Sequence, residues 1–268
     1  MESPENKRRI PLVAYAETTP LFNLDELRQR YGKGTSGRVI RNVLYRLKRQ
    51  GRVKTVATGV YSGARSTSPL DRYAVPAKLR RDAVLAFHSG LEFHGVANQV
   101  FQTVYYLSSH PRRDVVYEKV TYHRVAPPSR LVRSRRLDFQ VKASRRDVRV
   151  TGRERSFVDC LLFLDYSGGV DELARSLAMF PSFDFGVALD YLRLLKKPWL
   201  YSRLGLLLDR HAEKLFFRGK WRDAFLRRVP SGVVYLERKR PGLKWVETWN
   251  LMVPASFAER RKASEEGS

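Results

Sequence analysis

Between Leu27 and Arg65 the chain carries no acidic residue. The same stretch holds Arg28, Arg30, Lys33, Arg38, Arg41, Arg46, Lys48, Arg49, Arg52, Lys54 and Arg65. Within it Val39, Ile40, Val43, Leu44 and Leu47 recur at helical spacing, which predicts a helix over Ser36 to Gln50 with that stripe buried. Gly51 stands where a helix end commonly needs a left-handed residue. A short alternating segment follows, Val53 to Val56 and then Val60-Tyr61, with Thr58-Gly59 at the tip of a tight turn. A cationic helix followed at once by a cationic hairpin is the pattern of a winged helix-turn-helix.

The residues before it complete that pattern. Ile10 to Thr18 reads as a first helix, with Pro11 tolerable in its initial turn. Pro20-Leu-Phe22 reads as a brief extended entry. Asn23 is placed to cap a second helix with Glu26 as its reciprocal partner, and Phe22 to staple against Leu27. Leu24, Leu27 and Tyr31 mark the buried stripe of that helix. Gly32-Lys-Gly34 ends it, and Thr35 or Ser36 caps the third.

Beyond Val75-Pro76 the character changes. Lys78 to Gly95 reads as two short helices. Val100 to Ser108, Val115 to Val125, Phe139 to Lys142 and Val148 to Thr151 read as strands, being rich in β-branched and aromatic residues. Helical patterns then occupy Glu154 to Leu164, Val170 to Phe180, Phe183 to Leu195 and Ser202 to Phe217, with Trp199 and Leu200 at a turn. Gly232 to Arg238 and Lys244 to Val253 close the chain as strands. The expected fold class is α+β: a winged helix-turn-helix over 1–76, a larger mixed α/β domain over 77–258 with strands at both ends and helices between, and a flexible tail over 259–268.

The charge names the class of partner. The 268 residues carry 51 Lys and Arg against 27 Asp and Glu, a net charge of +24. Such a balance points to a polyanion, most simply nucleic acid. In a helix-turn-helix the second helix of the pair enters the major groove and its N-terminal half meets base edges. Arg38, Arg41, Asn42 and Tyr45 occupy that half. Arginine can bond both acceptors of guanine, and asparagine the donor and acceptor of adenine. Arg46, Lys48 and Arg49 lie where phosphates pass, Lys54 and Thr58 belong to the wing, and Thr35 and Ser36 would clamp a phosphate at the helix start.

The charge does not stop there, since +9 of it lies in residues 1–65 and +15 beyond. A secondary basic patch runs through Arg133, Arg135, Arg136, Arg145, Arg146 and Arg149 and would extend a DNA track or meet RNA. A third run comprises Lys214, Arg218, Lys220, Arg222, Arg227 and Arg228.

The order Phe22-Asn-Leu-Asp-Glu-Leu27, Leu44-Tyr-Arg-Leu47, Gln50-Gly51 and Gly59-Val-Tyr61 resembles the winged helix of the AbiEi antitoxins of type IV, or abortive-infection, toxin–antitoxin systems. The resemblance continues in Phe87-His-Ser-Gly-Leu-Glu-Phe-His-Gly95, in Arg153-Glu-Arg-Ser-Phe-Val-Asp-Cys160 and in Trp249-Asn-Leu-Met-Val-Pro254, with Gly90 standing where alanine is expected. It implies an autorepressor that binds inverted repeats in its own operon. It also implies a C-terminal domain that counteracts a nucleotidyltransferase-like toxin.

The competing class is a magnesium-dependent restriction-type nuclease. Asp223 and Glu237 would hold the metal, and Lys239 would assist the attacking water. Against it, Asp223 falls in a helical pattern, where such a site takes its aspartate from a strand. His88 and Glu92 share a helix face, with His94 and His123 elsewhere, and packed or capping roles are expected of them. Glu154 and Asp159 are expected in helix salt bridges with Arg153 and Arg155. Cys160 is the only cysteine and sits in an apolar run, as a small core residue would. The expectation is a cytoplasmic, non-enzymatic protein with no metal and no cofactor. No segment reaches the roughly 20 apolar residues of a membrane helix, and the opening residues do not form a secretory signal.

Overall fold

The computed structural model describes residues 10–133, 139, 141–143 and 148–258. The expected C-terminal tail over 259–268 lies outside the described residues. The fold is α+β. Its first part runs α1 (Leu12–Thr18), β1 (Phe22–Asn23), α2 (Leu24–Tyr31), α3 (Gly37–Arg49), β2 (Val53–Ala57) and β3 (Val60–Gly63), with the strands in the order β1-β3-β2. That is the winged helix-turn-helix arrangement.

Local chemistry accounts for each boundary. Asn23 and Glu26 form a reciprocal capping box, each side chain accepting from the other's backbone N–H at 2.9 Å. Ser36 Oγ accepts from the Val39 N–H at 3.4 Å and so opens α3. Gly51 and Gly59 take positive φ, the latter at the wing turn. Ala16, Phe22, Leu27, Tyr31, Ile40, Val43, Leu44, Leu47 and Val53 pack into one small core.

α4 (Val75–Leu79) follows, with Val75 and Pro76 buried, so the expected boundary at Pro76 falls inside a helix rather than in a linker. Arg72, Tyr73 and Ala74 form the turn leading into it.

The second part is built on a mixed six-stranded sheet in the order β6-β7-β5-β4-β9-β8. Its strands are β4 (Val84–Leu85), β5 (Thr103–Leu107), β6 (Val115–Tyr117), β7 (Val120–Val125), β8 (Val141–Ala143) and β9 (Arg149–Thr151). Central β4 occupies residues expected to be helical. The run Ala83 to Phe87 is apolar on both sides because it is covered on both faces, and such a run carries no period. Glu118 and Lys119, both at positive φ, turn the expected single strand over Val115 to Val125 back on itself.

Alternation assigns the two faces. Leu85, Val104, Tyr106 and Tyr122 look toward the wing, where Leu21, Val56, Val60, Val75 and Leu79 meet them in one core. Val84, Leu107 and Val125 look toward the helices. These helices are α5 (Phe87–Phe93), α6 (Ser129–Arg133), α7 (Arg153–Leu162), α8 (Val170–Ala178), α9 (Phe185–Leu195), α10 (Trp199–Asp209), α11 (Ala212–Leu215) and α12 (Lys220–Leu226). Trp199 and Leu200 open α10 rather than a turn, because Pro198 has helical backbone angles and loses nothing at a helix start. β10 (Val234–Tyr235), β11 (Lys244–Val246) and β12 (Leu251–Val253) form a third sheet, and α13 (Ala255–Ala258) ends the described chain. Among the described residues no helix is long and apolar enough to cross a membrane.

Candidate nucleic-acid interface

α3 turns Ile40, Val43, Leu44 and Leu47 inward, and these four complete an i, i+3, i+4, i+7 stripe. Val39 does not join them. It lies about 100° of helix rotation from Ile40 and about 40° beyond Val43, at the edge of the stripe, and is 47% exposed. On the outer face it sits with Asn42, Tyr45 and Arg46 around a concavity of about 450 Å³. Tyr45 is 62% exposed. Arg38, Arg41, Arg46, Lys48 and Arg49 are all exposed, and among the described residues none has a carboxylate within ion-pair reach. The face therefore combines unneutralised charge, one amide able to bond a base edge twice, and an apolar group of the kind that meets a thymine methyl. Thr35 is half-buried and Ser36 exposed at the start of the same helix.

Acidic residues of this part are held away from that face by named partners. Glu17 is buried and pairs with Arg52 and with Arg65, the latter at 3.5 Å. Asp25 bridges Arg28 at 3.4 Å and Arg81 at 3.1 Å, and Glu26 binds Lys78.

The wing is short. The Leu24 N–H donates to the Gly59 carbonyl at 2.9 Å, so the turn lies against the start of α2, with Thr58 exposed. Lys54 is 3.6 Å from Glu118 of the β6–β7 turn, an exposed pair. Lys54, read from the sequence as a wing residue, thus lies on the hairpin with a carboxylate beside it, and a pair this exposed is worth about 0–1 kcal/mol. Arg81, from outside the winged helix, brings a guanidinium beside α2 next to the wing turn. Sequence reasoning missed Val39 and Arg81. A complete stripe starting at Ile40 could have revealed the first; no local signal points to the second.

Of the secondary patch, Arg133 ends α6 and Arg149 lies on β9, both exposed. Arg135, Arg136, Arg145 and Arg146 lie outside the described residues. Much of the third run serves packing. Arg222 forks onto Asp209 at 2.9 and 3.1 Å, Arg228 donates to the Ala224 carbonyl at 2.6 Å, and Lys214 donates to the Ala178 carbonyl. Arg218 lies over Phe216 and Lys220 over Trp221.

The architecture has a known counterpart. A crystal structure of the RV2827C protein from Mycobacterium tuberculosis is similar to this chain at a TM-score of 0.59 and 16% identity, covering 92% of this chain and 93% of that one. At such identity the likeness extends to the fold alone. No protein-family model matches the chain, and no curated protein matches it.

Asp223 is exposed on α12, while Glu237 lies past the end of two-residue β10 and pairs with Arg240 at 3.4 Å; Lys239 is exposed. Among the described residues no three His, Cys, Asp or Glu side chains converge as metal ligands.

His88 is buried between Glu92 (2.9 Å from Nδ1) and Glu172 (3.2 Å from Nε2), with Phe101 stacked on its ring at 3.8 Å. Tyr73 O–H and the Phe101 N–H also donate to Glu92, and Asn98, the Gln99 N–H and Ser176 donate to Glu172. Burial pushes the Glu172 carboxyl up, but the hydrogen bonds from Asn98, His88 and Ser176 outweigh it and hold the group below its usual range.

His94 donates from Nε2 to the Thr151 carbonyl at 2.7 Å, and burial holds its pKa below the ordinary value. His123 pairs with Asp114 at 2.9 Å. Arg153 lies 3.9 Å from Glu154, and Arg155 lies 3.5 Å from Asp159 in a fully buried pair. Burial likewise pushes the Cys160 thiol up, which suits an inert core residue.

Proposed function

We propose that this chain is a sequence-specific DNA-binding antitoxin that represses its own toxin–antitoxin operon. The observation that carries the reading is the outer face of α3, where Arg38, Arg41, Asn42, Tyr45 and Arg46 stand exposed and the cations keep no acidic partner among the described residues. Seated in a major groove, the N-terminal half of α3 reads base edges while Lys48, Arg49 and the Thr35-Ser36 start hold phosphates. One winged helix per chain calls for two copies on an inverted repeat.

The toxin side of the proposal rests on the AbiEi resemblance of Phe87–Gly95, Arg153–Cys160 and Trp249–Pro254. In it, the domain after Pro76 counteracts a nucleotidyltransferase-like toxin. The test compares binding to a duplex from the chain's own upstream region with binding to a shuffled duplex of equal length, at fixed salt. Preference for the cognate duplex should reach about a thousandfold or more. A preference of only a few-fold would remove sequence-specific repression. For the toxin, co-expression with a neighbouring nucleotidyltransferase-like gene should restore growth.

A further inference from the structure

A second cationic surface lies far along the chain from α3. α6 and α9 pack together and flank a cleft of about 590 Å³, within the range that holds small ligands. Arg130 and Arg133 reach it from α6, and Arg193 and Lys196 from α9 and its end. Among the described residues lining it the one carboxylate is Asp190, whose pair with Arg193 takes up part of that charge. Three guanidiniums around one cleft suit phosphate oxygens, which they bind in forked pairs.

Two further observations bear on this cleft, and the second sets it apart from a solvated basic surface. The first is Lys196, which caps the end of α9 at φ 52°, a left-handed conformation that glycine or asparagine adopts far more readily. That conformation ends α9 and leaves Lys196 lining the cleft.

The second is the aromatic wall. Phe139 lines the cleft and stacks on Tyr191 with ring centroids 5.4 Å apart and planes 11° from parallel. Tyr191 is itself fixed from beneath. Its O–H donates to Asp159 at 2.5 Å, the Arg155 guanidinium lies 5.5 Å from its ring, and Arg155 also donates to the Phe139 carbonyl. Burying a whole ion pair is costly, and here its contacts hold a ring at the cleft wall. A positioned aromatic ring beside guanidiniums is how proteins receive a base and its phosphates.

We propose that the α6–α9 cleft binds a nucleotide, with Arg133, Arg193 and Lys196 on its phosphates and Phe139 against its base. The nucleotide is either free or a unit of a single RNA strand; the recognition chemistry is common to both. The test titrates the full-length protein with a fluorescent ATP analogue and, separately, with a short single-stranded RNA. The variants are Lys196→Gly, Arg133→Gln and Phe139→Leu, with Arg41→Ala on α3 as the control.

Lys196→Gly removes a charge while relieving the left-handed backbone. It should weaken binding about tenfold, the usual effect of one lost charge-assisted bond, with Tm unchanged or raised. Arg133→Gln should do the same to affinity and Phe139→Leu should weaken the base-bearing probe, while Arg41→Ala should leave ATP binding unchanged. Loss with ATP identifies a free nucleotide; loss with RNA alone identifies a strand. The proposal is overturned if neither probe binds more tightly than about 1 mM. It is equally overturned if Lys196→Gly and Arg133→Gln bind as wild type, or if these variants weaken only duplex DNA. The Arg41→Ala control keeps that failure separate from any failure of α3 to read DNA.

Discussion

Asn42 and Arg49 lie on the same exposed face of α3 and should fail in different ways. At 1.5 Å per residue, Arg38 to Tyr45 spans about 10 Å, close to the roughly 12 Å width of the major groove. Arg49 lies about 6 Å further along the axis, where a helix crossing the groove meets the backbone. Asn42→Ala removes an amide that can bond adenine twice, which is worth about 1–3 kcal/mol of discrimination. It should therefore weaken the cognate duplex roughly 5- to 150-fold and leave random duplex nearly untouched. Arg49→Ala removes a phosphate contact, so cognate and random duplexes should weaken alike.

Salt separates the two cases independently. Between about 50 and 200 mM salt, the slope of log K against log salt should shrink by about 0.9 for Arg49→Ala and stay constant for Asn42→Ala. Both side chains are exposed and outside the HTH core, so folding stability should move by less than about 0.5 kcal/mol. Fluorescence anisotropy on the two duplexes across that salt range is sufficient. Equal losses on both duplexes for Asn42→Ala, or lost discrimination at unchanged slope for Arg49→Ala, would refute this seating of α3.

Two further outcomes concern the larger domain. A Cβ at Gly90 would press on Ser156 Oγ, with Ser156 Cβ at 3.1 Å and Thr151 Oγ1 at 3.2 Å, inside a buried hydroxyl pair 2.6 Å apart. Gly90→Ala gains about 1 kcal/mol of helix preference but overpacks at a cost of about 1–3 kcal/mol, so urea unfolding should show net destabilisation; a more stable variant would show that α5 and α7 can separate. Acid should also weaken the fold. Burial holds both His94 and His211 below their ordinary pKa of 6.5, so the unfolded chain takes protons first as pH falls. Their stabilisation is complete above about 6.5 and is lost as pH drops through the folded-state values. Glu172, held below 4.5, adds its own loss only at lower pH. Tm should fall between pH 7.5 and 5.5 (about two units spanning the histidine range), and His94→Gln should flatten the decline; a flat wild-type profile would contradict it.

What was legible in the sequence was what is local. The Asn23–Glu26 box, the Ser36 cap, the α3 stripe and the Gly59 turn each depend on residues within a few positions, and each is where periodicity and capping chemistry place it. Even there, a stripe can absorb one apolar residue too many, as Val39 did. Strand β4 was illegible because a fully covered strand and a buried helix share the same apolar run. The alanine expected at Gly90 failed for a different reason. The helix itself would accept alanine, and only the approach of Ser156, sixty-six positions away, forbids it. Glu172 meets His88 across 84 positions and Arg81 meets Asp25 across 56, and no spacing rule reaches so far.

The same long-range contacts change what the wing is for. A free wing would reach along DNA on its own. Here Val56 and Val60 turn their side chains into the core shared with Val104, Tyr106 and Tyr122, and Lys54 lies beside Glu118. Burying two valines this way is worth about 3–6 kcal/mol against leaving them exposed, far more than the exposed ion pair contributes. The hairpin is therefore first a fastening between α3 and the six-stranded sheet, with its turn at Thr58, like Lys54 and Thr55, left exposed. Lys78 and Arg81 fasten the start of α2 to the segment before β4 in the same way. Any duplex seated on α3 would then lie at a set angle to the larger domain, and Arg81 would meet it beside the wing turn without any rearrangement. Under the proposed function α3 would then be the source of sequence choice, and Arg81, held by Asp25 at the start of α2, would lend phosphate attraction from the second part of the chain.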